Sequence, residues 1–163
     1  MAAEPLIQTL NKILLLHKSF NKIAKQKTEV IKAGDTDALN ALIKEERKHI
    51  QAIQKFENER QKLSKDYLST FDCEVANPTI SDCMQFANVT EKQKLSQIKE
   101  DLQTQVKFLS ERNELNQQLL QQSLQFVNMS LDILRPDIDT YNYGRPGKAH
   151  QYEEGRSIFN SKA

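Results

Sequence analysis

Apolar residues recur at three- and four-residue steps through three long stretches of the chain, and a residue that stops or starts a helix bounds each stretch. The first ends before Gly34, the second begins after Asp35, and the third ends before Pro136. Steps of this size place the apolar side chains on one face of an α-helix. The pattern predicts long helices over about residues 5–33, 36–71 and 89–134, with a short helical turn over about 80–86.

The second stretch carries a heptad seam, the repeat by which neighbouring helices of a coiled coil pack together. Its positions step alternately by three and four residues: Leu39, Leu42, Glu46, His49, Ile53, Phe56, Arg60, Leu63 and Tyr67. Because Glu46 and Arg60 occupy seam positions, we predict that both are largely buried and that each pairs with a group on another helix. The short joint between the first two helices makes them antiparallel neighbours.

Composition supports an all-α fold. Only four glycines and four prolines occur, and three of the glycines and two of the prolines lie beyond Leu134. We therefore predict an elongated antiparallel helical hairpin or three-helix bundle with coiled-coil-like packing over residues 1–135. Turn residues and tyrosines without helical or strand periodicity predict a flexible tail over residues 136–163.

The third helix changes character along its length. Thr90–Arg112 holds nine charged residues, whereas Asn113–Leu134 holds two charged residues and ten apolar ones. It is also longer than the other two helices, so one of its ends must extend beyond them. A second apolar stripe makes the C-terminal half costly to expose: Leu115, Leu119, Phe126, Met129 and Ile133. An apolar helix end of this kind needs a partner, within the molecule or outside it.

Net charge and targeting signals indicate which partners and which cellular compartment the sequence favours. The formal net charge is +1, so no global field recruits nucleic acid or an anionic membrane. The N-terminus lacks the features of a signal peptide, and no apolar run is long enough for a transmembrane helix, which favours the cytosol. Cys73 and Cys83 are then expected to be free thiols. The lysine-rich first helix would also suit a membrane-surface helix or a transit peptide, but a bundle helix with a basic solvent face fits better.

One spacing imitates a metal site. Glu46 and His49 form the Glu-x-x-His pair of di-iron carboxylate bundles. Such a site needs a second pair and two further glutamates, and neither His17 nor His150 has a glutamate three residues before it. We therefore expect no metal and no cofactor. No phosphate-binding loop or nucleophile with a matched base occurs either, so the chain is not expected to be an enzyme.

Four segments in this order resemble the FlgN family of flagellar export chaperones. They are Leu14–Arg47, the run KFENERQKL in the second helix, Asn113–Leu120, and the terminal Ser157–Ala163. No single segment is a specific motif, and their order and spacing carry the resemblance, which covers most of the chain. It implies a cytosolic chaperone that binds C-terminal helical segments of hook-associated proteins. Such a chaperone prevents premature assembly and delivers its clients to the export gate of the flagellar type III apparatus.

The resemblance and the apolar helix end together suggest where clients bind. We predict a client-binding surface on the third helix, formed by Leu119, Leu120, Leu124, Phe126, Val127, Met129, Leu131, Ile133 and Leu134. Tyr141, Tyr143 and Phe159 in the tail are predicted to dock at the export gate. Two alternatives remain open: the stripe forms the core of the monomer, or it pairs with its own copy in a structural coiled-coil homodimer without a client.

Overall fold

A computed structural model describes residues 3–134, and all of the regular structure in that range is helical. The helices are α1 (Glu4–Ala33), α2 (Thr36–Ser69), α3 (Ile80–Met84) and α4 (Val89–Leu134). The predicted all-α class is confirmed, and each predicted helix agrees with the structure to within about two residues. Residues up to Val127 belong to one compact unit, and Asn128–Leu134 belongs to a second unit.

Local chemistry explains the tight joint between α1 and α2. Gly34 ends α1 in the left-handed conformation (φ 70°), which glycine adopts without steric cost, and its N–H donates to the Ile31 carbonyl at 3.1 Å. Asp35 then caps α2, since its side chain accepts from the Ala38 N–H at 3.0 Å. The chain therefore reverses within two residues, and α2 returns along α1 as predicted.

Two further caps start α3 and α4. Thr79 and Asp82 form a reciprocal capping box at the start of α3, in which each side chain accepts from the other's backbone N–H. At the start of α4, Asn88 Oδ1 accepts from the Glu91 N–H at 2.9 Å. The Glu91 carboxylate also accepts from the Ala3 N–H at 3.3 Å, which ties the beginning of α4 to the beginning of α1.

A hydrophobic core cluster lies at the end of the bundle where all four helices meet. Its buried members come from each helix and from Ala3, which precedes α1: Ala3, Leu6, Ile7, Leu10, Tyr67, Leu68, Cys83, Leu95 and Ile98. The first turns of α1 and α4 share this core with the last turns of α2. Consequently α4 runs parallel to α1 and antiparallel to α2.

Side-chain hydrogen bonds fix the register between α1 and α4. Asn21 bonds Gln105 and Thr28 bonds Asn116, so partners lie 84 and 88 positions apart in the sequence. The larger offset places Ala33, the last residue of α1, level with about residue 121. Beyond that point α4 continues to Val127 without α1 beside it. The predicted overhang of the third helix is therefore found, and it is the C-terminal end that overhangs.

The heptad seam of α2 is buried or half-buried along its length. Glu46 pairs with Lys27 of α1 at 3.0 Å, as predicted for an interhelical contact. The prediction for Arg60 is wrong in one respect, because its partner is Glu57 on the same helix, at 2.6 Å. The reason is that α1 has no acidic residue between Glu4 and Glu29 to face it. Arg60 instead reaches out of α2 through a 2.9 Å bond to the Pro78 carbonyl.

The lysine-rich α1 is a bundle helix, as we expected. Most of its apolar side chains, among them Leu6, Leu10 and Ile13, are buried, whereas Lys12, Lys18 and Lys22 are exposed. Among the described helices, none is both long and apolar enough to span a membrane.

Two leucines on α1 test the position of the core. Leu10 is fully buried and Leu15 is 66% exposed, five residues further along the same helix. Leu10→Ala should lower the free energy of unfolding by about 2–5 kcal/mol, because it removes packed methyl groups and leaves a cavity. The matched Leu15→Ala should change it by less than about 0.5 kcal/mol. Urea unfolding followed by circular dichroism measures both, and equal effects would contradict this core.

Arg60→Ala tests the link from α2 to the segment that precedes α3. The substitution removes the donor to the buried Pro78 carbonyl, so we expect a loss of about 1–3 kcal/mol in unfolding free energy. Lys48→Ala is the control, since Lys48 forms an exposed pair with Glu45 one turn away on the same helix. Chemical denaturation compares the two variants. An Arg60 variant as stable as the Lys48 variant would show that the guanidinium does not anchor this segment.

Candidate functional site

The nine predicted client-binding residues all lie on α4, and none of them is buried in the structure. Within the first unit, Leu119 and Leu120 are half-buried, and the side chains beyond them are exposed: Leu124, Phe126 and Val127. Phe126 is the most exposed of these side chains, with 72% of its surface accessible to solvent. In the second unit, the remaining four are exposed on a helical segment: Met129, Leu131, Ile133 and Leu134. The alternative in which this stripe forms the core of the monomer is therefore not supported.

The exposed stripe begins earlier on α4 than we predicted. Phe108, which is 53% exposed, lies seven residues before Leu115 and therefore on the same face of the helix. From there the face continues through Arg112, Leu115, Leu119, Gln122 and Phe126 in steps of four and three residues. Phe108 was missed because the surrounding segment is highly charged, although its spacing from Leu115 is a signal that the sequence already contains.

Between α1 and α4 lies an open groove of about 610 Å³, which we call the α1–α4 groove. Side chains of α1 form one wall: Lys18, Asn21, Lys22 and Lys25. Side chains of α4 form the other: Gln105, Phe108, Glu111, Arg112 and Leu115. The groove thus contains the first two apolar residues of the exposed α4 face, with a row of lysines opposite them.

Polar side chains hold α4 against α1 beneath this groove. Asn21 Nδ2 donates to the carbonyl oxygen of Gln105 at 2.9 Å and to its side-chain oxygen at 2.8 Å. Asn116, only 2% exposed, accepts from the Thr28 hydroxyl at 2.6 Å and donates to the Ala24 carbonyl at 3.0 Å. Because these partners satisfy one another, the two helices are joined here without using the apolar face of α4.

The α1–α4 groove is locally basic. In the described part of the chain, Lys18, Lys22 and Lys25 form no ion pair. Arg112 adds a fourth positive charge, and its guanidinium donates a long hydrogen bond of 3.5 Å to the Thr28 hydroxyl. The single acid in the lining, Glu111, lies 4.0 Å from Lys107 on its own helix. Four cations and one paired carboxylate therefore line the groove, in a chain whose net charge is only +1.

The Glu46–His49 pair that imitates a metal site has structural partners instead. Glu46 is bound to Lys27, and the His49 ring nitrogens lie 2.8 Å from the Ser19 hydroxyl and 2.9 Å from the Glu45 carbonyl oxygen. Among the described residues, no group of three or more histidine, cysteine or acidic side chains is placed to hold a metal ion.

Both cysteines are free thiols, as we predicted. Cys83 is fully buried in the core, and its burial raises the pKa of the thiol above the ordinary value. It is therefore protonated at neutral pH, which makes it a packing residue and a poor nucleophile. The tail residues predicted to dock at the export gate, Tyr141, Tyr143 and Phe159, lie outside the described residues.

Comparison with known proteins identifies one family and one relative. The family model described as FlgN protein matches residues 1–151. A protein of Bacillus subtilis (strain 168), described as "Uncharacterized protein YvyG", is 34% identical over 164 residues, which cover 100% of both chains. No solved structure matches the chain significantly.

Proposed function

The chain belongs to the FlgN family of flagellar export chaperones, and we propose that it acts in the cytosol on hook-associated proteins, without catalysis. In this proposal, the C-terminal half of α4 binds C-terminal helical segments of these proteins and prevents their premature assembly. The chaperone then delivers its clients to the flagellar type III export gate. The observation that supports the client site is the exposure of Leu124, Phe126 and Val127 on α4 beyond the end of α1.

The chemistry of this part of α4 suits reversible helix binding. An amphipathic client helix packed along α4 would bury side chains such as Phe126, and burying one large apolar side chain contributes about 1.5–3 kcal/mol. The glutamines between the apolar positions keep the free helix hydrated, yet they cost less to desolvate than charged residues. Met129 adds a flexible side chain that adapts to more than one client surface.

A homodimer is the competing use of the same stripe. Two copies of α4 could bury the apolar residues against each other, which would give a structural coiled coil without a client. Light scattering of the protein alone and with C-terminal fragments of hook-associated proteins distinguishes a client-binding chaperone from a structural homodimer. A 1:1 complex that forms from monomers supports the chaperone, whereas a tight dimer that ignores the fragments supports the structural protein.

Phe126→Asp combined with Val127→Asp should abolish client binding. Both side chains are at least half exposed in the free protein, so two carboxylates here leave the bundle intact but cannot be desolvated against an apolar client. We expect at least about thirtyfold weaker binding, the loss of one hot-spot contact or more. Isothermal titration with a hook-associated C-terminal fragment measures the affinity, and a melting curve checks the fold.

The matched control is Gln121→Asp combined with Gln125→Asp. It adds the same charge to the same exposed stretch of α4, but on the polar face of the helix. It should bind the fragment as the wild type does. Equal losses in the two double variants would mean that charge alone opposes binding. Unfolding of the Phe126–Val127 variant would show that these residues contribute to the core.

Removal of Asp137–Ala163 should separate client binding from delivery. If the tail docks at the export gate, the truncated protein binds the hook-associated fragment with unchanged affinity but no longer supports secretion of the full-length client. Tyr141→Ala with Tyr143→Ala, compared with Phe159→Ala, identifies which anchor is used. Secretion is measured in cells that lack the endogenous chaperone, and secretion at the wild-type level by the truncated chain would contradict a role for the tail.

A further inference from the structure

The α1–α4 groove and the exposed stripe of α4 form one continuous surface within residues 3–127. Phe108 and Leu115 lie inside the groove. On the same helical face, Leu119 follows beside the last turn of α1, and Phe126 lies beyond the end of α1. A helix that packs on Phe126 and runs back along α4 therefore enters the groove after about three turns. There it meets side chains of α1 as well as those of α4.

The α1 wall of the groove is cationic, and its lysines are regularly spaced. Lys18, Lys22 and Lys25 follow steps of four and three residues, so they line one face of α1 over about 10 Å. All three are exposed, and among the described residues none has an ionic partner. Glu29, the next residue of the row, lies 3.4 Å from Lys32 and marks the end of the basic stretch.

We propose that the α1–α4 groove is a charge-selective extension of the client site, and that it binds an amphipathic helix with an acidic flank beside its apolar stripe. The apolar residues of that helix pack on Phe108 and Leu115, and its carboxylates, repeated every three or four residues, face Lys18, Lys22 and Lys25. The inference rests on the proposed function, because it assigns a chemical class to the client helix of the same site.

The charge distribution favours this occupant over an uncharged or basic helix. Arg112 lies between the two apolar residues on the α4 wall, and within residues 3–134 its guanidinium makes only the 3.5 Å contact to Thr28. A guanidinium has five N–H donors and binds carboxylates well, so most of its donors are available to an acidic partner. A basic helix would place like charges against four cations without a compensating acid other than Glu111, which lies beside Lys107.

A peptide pair tests the inference on the full-length protein. The two fluorescein-labelled helical peptides share one apolar stripe, and the positions that flank it are glutamate in one and lysine in the other. We expect the wild type to bind the glutamate peptide at least about tenfold more tightly, since three exposed charge contacts of modest strength together reach that ratio. Fluorescence anisotropy at low and high salt should show the preference shrinking as salt screens the lysines.

Charge reversal provides the discriminating variant. Lys18→Glu, Lys22→Glu and Lys25→Glu together should reverse the preference, so that the lysine peptide binds more tightly than the glutamate peptide. Lys44→Glu, Lys55→Glu and Lys62→Glu on α2 make the same change in net charge at exposed positions outside the groove. That control should keep the preference of the wild type. Equal affinity of the wild type for the two peptides, or a preference that the α1 variant leaves unchanged, would overturn the inference.

A third probe, a C-terminal fragment of a hook-associated protein, separates this inference from the function on which it rests. If Phe126→Asp with Val127→Asp abolishes binding of the fragment but the α1 charge reversal leaves it unchanged, the client uses the apolar stripe alone. The groove inference then fails and the chaperone proposal stands. If the peptide preference reverses as expected but the fragment does not bind, the acidic-helix groove stands and hook-associated proteins are not its clients.

Discussion

The parallel register between α1 and α4 determines which surfaces this protein presents. It is set at one end by the four-helix core and by the hydrogen bond from the Ala3 N–H to Glu91. Because α1 has 30 residues and α4 has 46, a common starting point leaves α4 from about residue 122 to Val127 without α1 beside it. The exposed stripe is thus a consequence of unequal helix lengths combined with a fixed beginning, and it needs no local distortion of α4.

The two ends of the α1–α4 contact use different chemistry. Near the start of α4, Leu95 and Ile98 pack into the apolar core, whereas further along the helices meet through Gln105 and Asn116. A buried asparagine of this kind fixes register, because a shift of α4 along α1 would leave its amide unsatisfied. Leu115, the apolar residue next to it on α4, stays exposed. The polar contact therefore fixes the position of α4 along α1, and the helix face that carries Phe108 and Leu115 stays exposed.

Local sequence signals sufficed to predict the helices. Gly34 and Asp35 mark the joint between α1 and α2, and the Thr79–Asp82 pair marks α3, because these caps depend on neighbouring residues alone. Helix length also predicted that one end of the third helix must overhang. Which end does so depends on the direction of α4 relative to α1, and the connection over residues 70–88 is too long for its sequence to determine that direction.

Pairwise contacts were harder to predict than helices. The seam position of Arg60 predicts an interhelical partner, but the carboxylate that it binds, Glu57, is one turn away on α2. The lysines of α1 predict a solvent face, and all of them except Lys27 are exposed. Three of the exposed ones also form a wall of the α1–α4 groove. A helical wheel of α1 alone contains no information about the helix opposite. The groove becomes visible only when Phe108 and Leu115 are placed across from Lys18 and Lys22.

In the proposed complex, the two parts of the surface have different physical roles. Apolar contacts along α4 supply most of the affinity, but they discriminate poorly among client helices that all carry apolar stripes. Exposed lysines each contribute little affinity because water and salt screen them, yet like charges placed opposite them oppose the wrong partner and acidic flanks speed the encounter. Since the net charge of the chain is only +1, this preference cannot come from the protein as a whole. It depends on the few lysines that the register of α1 and α4 places beside the apolar stripe.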